Sequence, residues 1–375
     1  MTHVLVTGGA GFVGSHIVDH LVDHGYEVTV LDNLTEQVHE EEPEYLNPDA
    51  EYVWGDVRDR ELVTDLLEEA DVLNHQASAV GVGQSMYQIE HYVDVNTLAT
   101  ARILDVIVNE DIDLEKIVVA SSMSIYGEGE YYCPSCESTE YPSERADEQM
   151  EQGEWEHRCS ACESKLEPRP TPETKPRDST SVYAISKKDQ EELTLSVAEA
   201  YDIPAVALRY FNIFGSRQAL DNPYTGVCAI FSSRIKNDNP PLIFEDGEQT
   251  RDFVHVSDVA RANRLAIERS GADGEAVNIG TGDPSTVQEI ANTLIELYGK
   301  ADTLEPSITG DFRAGDIRHC YADTTKAERD LGFEAEVDFE TGMRELVEWG
   351  REQDAEDNFE KAHEELEEKG LVGED

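Results

Sequence analysis

An α/β fold with a doubly wound parallel sheet, a smaller mixed α/β domain and a small cysteine-bearing insertion is predicted by three observations. Apolar strand-like runs alternate with helical runs through the first 120 residues. A glycine-rich turn joins the first strand to the first helix. The rhythm then breaks between residues 128 and 178, a polar stretch holding four of the six cysteines. Strands separated by helices imply parallel pairing with right-handed crossovers. Such sheets bind ligands at the carboxyl ends of their strands, so functional residues are sought there.

Residues 4–7 form a buried-strand run and residues 8–14 the turn. Helical spacing through Val13, Ile17, Val18, Leu21 and Val22 predicts a helix over 12–24, ended by Gly25. A second strand follows at 27–31. The pattern recurs as strand 52–54, helix 60–69, strand 72–75, helix 92–109 and strand 117–120. It resumes after the insertion with helix 183–201 and strand 205–210. From about residue 218 short strands, loops and helices mix, which suits a substrate domain. Residues 350–375 read as a charged, frayed helix. The expected organisation is a sheet domain from 1–127 and 179–217, an insertion at 128–178, a substrate domain at 218–350 with segments returning to the sheet, and an acidic tail at 351–375.

The 375 residues carry 29 Lys+Arg against 81 Asp+Glu, a formal charge of −52, yet 39% are hydrophobic. That apolar content suffices to fold, which excludes a disordered acidic chain. The shortage of cations excludes nucleic-acid binding and predicts repulsion from anionic membranes. The acidity is spread over Asp19, Asp23 and residues 40–42, 68–69, 144–154 and 364–368. A partner surface would be localised; this spread points to adaptation to molar salt, hence a halophile. No run approaches the roughly 18 apolar residues of a membrane span. The chain opens on a strand rather than a signal peptide, so a reducing cytoplasm is expected, with cysteines as thiols or metal ligands.

The turn reads Gly8-x-x-Gly11-x-x-Gly14 between strand and helix. Its glycines permit close approach to a pyrophosphate, and the helix start at Phe12 and Val13 supplies N–H groups and positive dipole. Asp32 ends the second strand 18 residues past Gly14, followed by Asn33. A carboxylate there accepts from ribose hydroxyls and repels a 2′-phosphate, which favours NAD over NADP. Asp56, before Val57, suits either an adenine amino group or a helix cap. Gln76 and Ala77, after His75, are expected to line the cofactor channel, with His75 alternatively a satisfied polar residue. Ser122 follows the fifth strand. Tyr183 and Lys187, four apart, share one helix face. An ammonium near a positively charged nicotinamide is expected to lower the phenol and make it a base near neutral pH.

These segments together resemble the extended short-chain dehydrogenases/reductases of the nucleotide-sugar epimerase/dehydratase family. The likeness rests on TGGAGFVG (7–14), SSMSIYG (121–127), YAISK (183–187), RYFNIFG (209–215), QTRDFVHVSDVARA (249–262), NIGTG (278–282) and RAGD (313–316). It implies a Rossmann-type NAD domain, Tyr183 as base, Lys187 as its electrostatic partner and ribose ligand, and Ser122 as the orienting hydroxyl. It further implies that Asn212 contacts the sugar nucleotide and that Arg251 and Arg313 neutralise its diphosphate. In this family Tyr183 would remove the C4-hydroxyl proton while hydride passes from C4 to NAD, giving a 4-keto sugar. Dehydratases and decarboxylases of the family carry carboxylates just after the catalytic hydroxyl, where this chain has Met123 and Ser124. The resemblance therefore favours a 4-epimerase of UDP- or dTDP-hexoses over those reactions, and over a non-catalytic binding module. Pocket residues at 80–92 and 222–233 are expected to choose the sugar. Helices 97–109 and 186–201 pair across a two-fold axis in resembling enzymes, which implies a homodimer.

Cys133-x-x-Cys136 and Cys159-x-x-Cys162 are separated by 22 residues. Two such knuckles present four thiolates tetrahedrally, which predicts a closed, structural zinc site in a zinc-ribbon-like insertion, ahead of an iron–sulfur cluster, two disulfides or free thiols. Metal would supply folding energy that so small a polar segment lacks. His157 is expected to lie nearby without ligating, and Cys228 and Cys320 to be buried thiols. TDP-rhamnose-type 4-epimerases resemble the chain in the insertion and in the NPYTGV segment at 222–227. Both ends of the insertion fall near the active site, so a lid or wall beside the sugar pocket, or an oligomer contact, is expected of it.

Overall fold

The structure is a computed structural model and describes residues 1–39, 41–224, 226–313 and 316–373. Its centre is a seven-stranded parallel sheet. Five strands come from the first third of the chain: β1 (His3–Thr7), β2 (Glu27–Asp32), β3 (Glu51–Trp54), β4 (Val72–His75) and β5 (Lys116–Ser122). The strands Ala205–Tyr210 and Glu275–Ile279 extend it beyond β5, giving the order Glu275–Ile279, Ala205–Tyr210, β5, β4, β1, β2, β3. The reversal at β1 and β4 opens the crevice where such sheets take ligands.

The side-chain period of two divides the core. Val4 and Val6 of β1 pack with Ile17, Val18 and Leu21 of helix α1 (Phe12–Asp23). Leu5 packs on the opposite face with Val63 and Leu67 of α2 (Arg60–Glu69), Ile103 and Leu104. Both faces are covered, so β1 reads as a continuous apolar run. Each buried aliphatic side chain contributes about 1.5–3 kcal/mol.

The helix expected over 92–109 has a different form. It runs as Ile89–Tyr92, a π-helical turn at Val93–Leu98, and Ala99–Asn109. Such widened turns concentrate at functional sites, and this one carries the buried Asn96.

The substrate domain packs Phe214, Phe231, Phe253, Ile290, Leu294, Met343 and Leu346 into its own core. Helix Val256–Glu268 and strand Glu275–Ile279 return to the main sheet, as expected. The insertion forms a three-stranded sheet with Glu130–Cys133 between Ser138–Glu140 and Glu167–Arg169.

The expectation of a frayed acidic tail is corrected. Helix Phe359–Glu368 buries Phe359, Ala362 and Leu366, and the strand Val372–Gly373 pairs antiparallel with Phe312–Arg313. Three apolar residues at helical spacing outweigh the surrounding charge. No helix among the described residues is long and apolar enough to cross a membrane.

Candidate active site and metal centre

The glycine turn is shaped by contacts that no side chain tolerates. Gly8 has φ +71°, and a Cβ there would lie 2.8 Å from the Ala77 nitrogen. A Cβ on Gly14 would lie 2.0 Å from the Gly8 carbonyl oxygen. Helix α1 starts at Phe12 behind Gly11, which has no side chain to cap it. The first-turn N–H groups, those of Phe12 and Val13 among them, therefore remain available to an anion. The Asp32 carboxylate takes N–H donations from Ala10 at 3.0 Å and Leu34 at 2.9 Å. Each oxygen keeps a further lone pair for a ribose hydroxyl. This cradle fits a dinucleotide.

Asp56 is not the cap of α2. It grips the Arg58 guanidinium at 2.7 and 2.8 Å and accepts from the Asn33 amide at 3.1 Å. The Arg58 bonds hold its carboxyl at about 2, despite partial burial. The cap of α2 is instead Asp59, which accepts from Glu61 N and Leu62 N. Val57 beside it is buried. His75 proves to be the satisfied polar residue, bonded to Thr7 at 2.7 Å and Thr100 at 3.0 Å. Burial pushes it down to about 3, so it stays neutral. Gln76 accepts from the Tyr210 hydroxyl at 3.2 Å, and the Ala77 N–H donates to Thr7.

Ser122 ends β5, and its Oγ accepts from the Ser124 N–H at 3.2 Å, starting the short turn Met123–Tyr126. Helix Val182–Ala200 begins at the same edge, capped by Ser181. Tyr183 lies in its first turn. Lys187, one turn on, is buried and donates to the Ala120 carbonyl at 3.0 Å. Sheet edge and helix start thus bring Ser122, Tyr183 and Lys187 together as expected.

With no cofactor bound, burial governs their protonation. Burial pushes the Tyr183 phenol up to about 12, while a hydrogen bond with Ser122 opposes the rise. Burial also draws Lys187 down to about 7. In the protein alone, desolvation outweighs any ammonium effect on the phenol.

Sequence reasoning missed the supports of this site. Asn96 accepts from Ala79 N at 2.7 Å and donates to Ala79 O and the Ser186 hydroxyl, tying the loop after β4 to the catalytic helix. The Ser85 Oγ accepts from Tyr183 N at 3.0 Å, and the Tyr92 ring stands edge-on to Tyr183 at 6.4 Å. Asn96 sits among Asp94, Thr97 and Thr100 in a mixed helical run, so no local signal singled it out.

Of the diphosphate and sugar ligands, Asn212 keeps its Oδ1 buried without a partner among the described residues. An unpaired buried acceptor is costly and invites a ligand donor. Arg251 donates to the Asp316 carboxylate at 3.0 Å and to the carbonyls of Thr250 and Arg318 at 2.9 and 3.1 Å. A diphosphate would have to share or displace that carboxylate. Arg313 lies on the strand Phe312–Arg313, but its side chain lies outside the described residues, as do Ala314 and Gly315.

The four insertion cysteines converge. All four Sγ atoms lie within 4.8 Å of one another, with Cys133 and Cys162 at 3.5 Å and Cys136 and Cys159 at 3.8 Å. Tetrahedral zinc with Zn–S near 2.3 Å requires S···S of about 3.8 Å. Glu137 and Glu163, which follow the two knuckles, share a positive φ of 54° and 61°. The knuckles are thus near copies, and the donor set fits zinc. His157 points away, pairing with Glu128 at 3.0 Å. Cys228 and Cys320 are buried free thiols, as expected.

A buried ion network fastens the insertion to the substrate domain. Arg145 binds Glu245 at 2.7 Å with both side chains essentially inaccessible. Arg318 reaches Glu156, Glu245 and Asp246 at 2.8, 3.0 and 2.6 Å. Against the upward push of burial, His157 and the Arg318 backbone hold Glu128 at about 2. These pairs fasten the insertion to the loop that engages Arg251.

Comparison with known proteins agrees with this geometry. The profile of the NAD dependent epimerase/dehydratase family matches residues 4–148 and 159–280. The chain is 33% identical to the dTDP-L-rhamnose 4-epimerase of Burkholderia thailandensis, covering 92% of this chain and 94% of that protein. It is 35% identical to a putative UDP-glucose 4-epimerase of Methanocaldococcus jannaschii, covering 92% and 97%. The crystal structure of the Thermotoga maritima UDP-glucose 4-epimerase with UDP-glucose superposes with a TM-score of 0.76 at 31% identity, covering 93% of this chain and 99% of that one. The Thermus thermophilus UDP-glucose 4-epimerase complex with NAD gives a TM-score of 0.73 at 30% identity, covering 94% and 100%. The glycine cradle, the Ser122–Tyr183–Lys187 cluster and these matches agree: the chain belongs to the NAD-dependent epimerase/dehydratase family.

Proposed function

We propose that the protein is an NAD-dependent nucleotide-sugar 4-epimerase acting on a UDP- or dTDP-hexose. The observation that carries this reading is the turn after Ser122. Met123 and Ser124 occupy it, and the Ser124 hydroxyl donates to Ser122 at 2.9 Å. An elimination or decarboxylation enzyme needs an acid there; an epimerase does not.

Gly8, Gly11, Gly14, Phe12, Val13, Asp32 and Asn33, with Asp56, Val57, Gln76 and Ala77 at the rim, hold the dinucleotide. Bound NAD supplies an acceptor that takes hydride from sugar C4 and returns it to the opposite face. Ser122 and Tyr183 hold the C4 oxygen between their hydroxyls. Tyr183 takes its proton and later gives it back, so no net proton is exchanged. Lys187 orients the ribose and offsets negative charge on the phenol. Asn212 holds the sugar nucleotide, and Arg251 and Arg313 its diphosphate. Cys133, Cys136, Cys159 and Cys162 hold a structural zinc. Exposed Val93, Leu98 and Ile185 support a homodimer through the helices that bear them. The uniform acidity supports a salt-adapted, cytoplasmic enzyme.

The test is proton NMR of UDP- and dTDP-hexoses incubated with the protein in molar KCl. A new anomeric signal at unchanged substrate mass is expected. A 4-keto product formed with loss of water overturns the reading.

A further inference from the structure

The C-terminal segment spans two parts of the chain that face each other across the expected sugar pocket. Its root is firmly seated on the substrate domain. The Ser233 hydroxyl donates to Glu356 O at 3.0 Å, and the Asn239 amide to Asp357 at 2.7 Å. Arg234 pairs with Asp357 at 3.3 Å and lies 4.8 Å above the Phe359 ring.

Beyond the root, the segment reaches the other side. A Cβ on Gly83 would lie 3.2 Å from Leu366 Cδ2. Gly83 belongs to the loop after β4, two residues before Ser85, the acceptor of the Tyr183 N–H. Glu365 Oε2 takes hydrogen bonds from Tyr224 at 2.6 Å and Tyr87 at 3.2 Å, and Tyr87 also reaches the Tyr224 hydroxyl at 2.9 Å. Tyr87 lies on the sheet-domain loop and Tyr224 in the segment entering the substrate domain. Tyr224 also borders the reactive end. A Cβ on Gly81 would lie 3.4 Å from Tyr224 Cβ and 2.8 Å from the Tyr92 hydroxyl. The segment ends by pairing Val372–Gly373 with Phe312–Arg313, the strand of the diphosphate arginine.

We propose that residues 356–373 are a clasp across the mouth of the nucleotide-sugar site, with Glu365 as the positioning residue that joins its two sides and releases them when a nucleotide sugar enters or leaves. This rests on the functional reading above. The chemistry favours release by the ligand. Beyond the root, the contacts among the described residues include one carboxylate between two phenols, one leucine on a glycine, the His363 ring 5.9 Å from that of Phe244 and two paired strand residues. Helix Phe359–Glu368 carries five glutamates against one lysine. A diphosphate entering beside it meets like charge, which favours opening until arginines neutralise the ligand. The buried root supplies the hinge.

The test uses full-length holoenzyme and stopped-flow binding of UDP and dTDP, the diphosphate moieties of both substrate classes. A Gly83→Cys, Leu366→Cys pair, oxidised to a disulfide, locks the clasp. Locking is expected to slow nucleotide entry at least tenfold, with full recovery on reduction and no effect on the parent chain treated alike. Glu365→Ala is expected to speed UDP release and raise KM at least threefold with kcat within twofold, and Glu365→Gln, which keeps the acceptor, to restore parental values. Unchanged entry in a lock verified by mass overturns the clasp. So do unchanged release and KM in Glu365→Ala, which decides the matter even where the disulfide does not form. A parent chain that binds neither UDP nor dTDP overturns the functional reading, and the clasp with it.

Discussion

Replacing Lys187 with Met is expected to stabilise the cofactor-free protein while abolishing epimerisation. The ammonium is buried and donates to the Ala120 carbonyl. Burial lowers it from 10.5 to about 7. At 1.36 kcal/mol per pH unit, that depression sets an upper limit of roughly 5 kcal/mol on its cost to folding. The unfolded chain binds the proton up to about pH 10.4, and the folded chain releases it near 7. The cost is therefore fully present below pH 7, shrinks as pH rises through that window and is gone above 10.4. Methionine keeps the aliphatic length and removes the charge. The assay is the thermal midpoint of the NAD-free parent and variant at pH 6, 8 and 10 in molar KCl. The variant should melt higher at pH 6, and its advantage should shrink steadily towards pH 10. A variant that melts lower at pH 6, or an advantage that does not vary with pH, refutes the reasoning.

Three further outcomes follow from single contacts. Gly14→Ala drives a Cβ to within 2.0 Å of the Gly8 carbonyl oxygen, so bound NAD per chain should fall at least tenfold by absorbance of the denatured extract. Cys133→Ser with Cys159→Ser removes one thiolate from each knuckle; zinc by atomic absorption should fall to background, and unchanged metal sinks the assignment. Arg318→Met leaves Glu156, Glu245 and Asp246 without their shared cation, which should cost about 3–5 kcal/mol in the unfolding midpoint.

What was legible in the sequence was what local rules control. Gly8, Gly14 and Asp32 announce the cradle because tight turns and strand ends have short-range signatures. Tyr183 and Lys187 are one helical turn apart, and the two knuckles carry their own spacing. Asn96 was missed because its role depends on a widened turn that hydrophobic periodicity does not encode. The Asp56–Arg58 pair was not legible because Arg58 is two residues away on a loop, where a side chain curls back without any periodic signal. The upward push of burial on the cofactor-free Tyr183 phenol was not legible because desolvation depends on the whole packed surround. The C-terminal segment was misread because its glutamates mask Phe359, Ala362 and Leu366, whose partners, such as Gly83, are hundreds of residues earlier.

The scarcity of cations ties these features together. With 29 basic residues against 81 acidic ones, the surface cannot neutralise itself. Several of the cations are instead interior: Arg318 and Arg145 hold the insertion, Arg209 pairs with Glu191 beneath the catalytic helix, and Arg234 anchors the C-terminal segment. Salt acts differently on the two populations. Exposed like charges repel over about 10 Å at 0.1 M and about 3 Å at 1 M, whereas buried pairs are barely screened. The parent midpoint should therefore rise steeply with KCl towards molar concentrations. The loss caused by Arg318→Met should vary far less across the same range, because Arg318 and Glu245 are buried and only Glu156 and Asp246 are partly exposed. If that loss shrank in parallel with rising salt, the network would be acting as a surface feature, and the insertion would be held to the substrate domain by something other than these pairs.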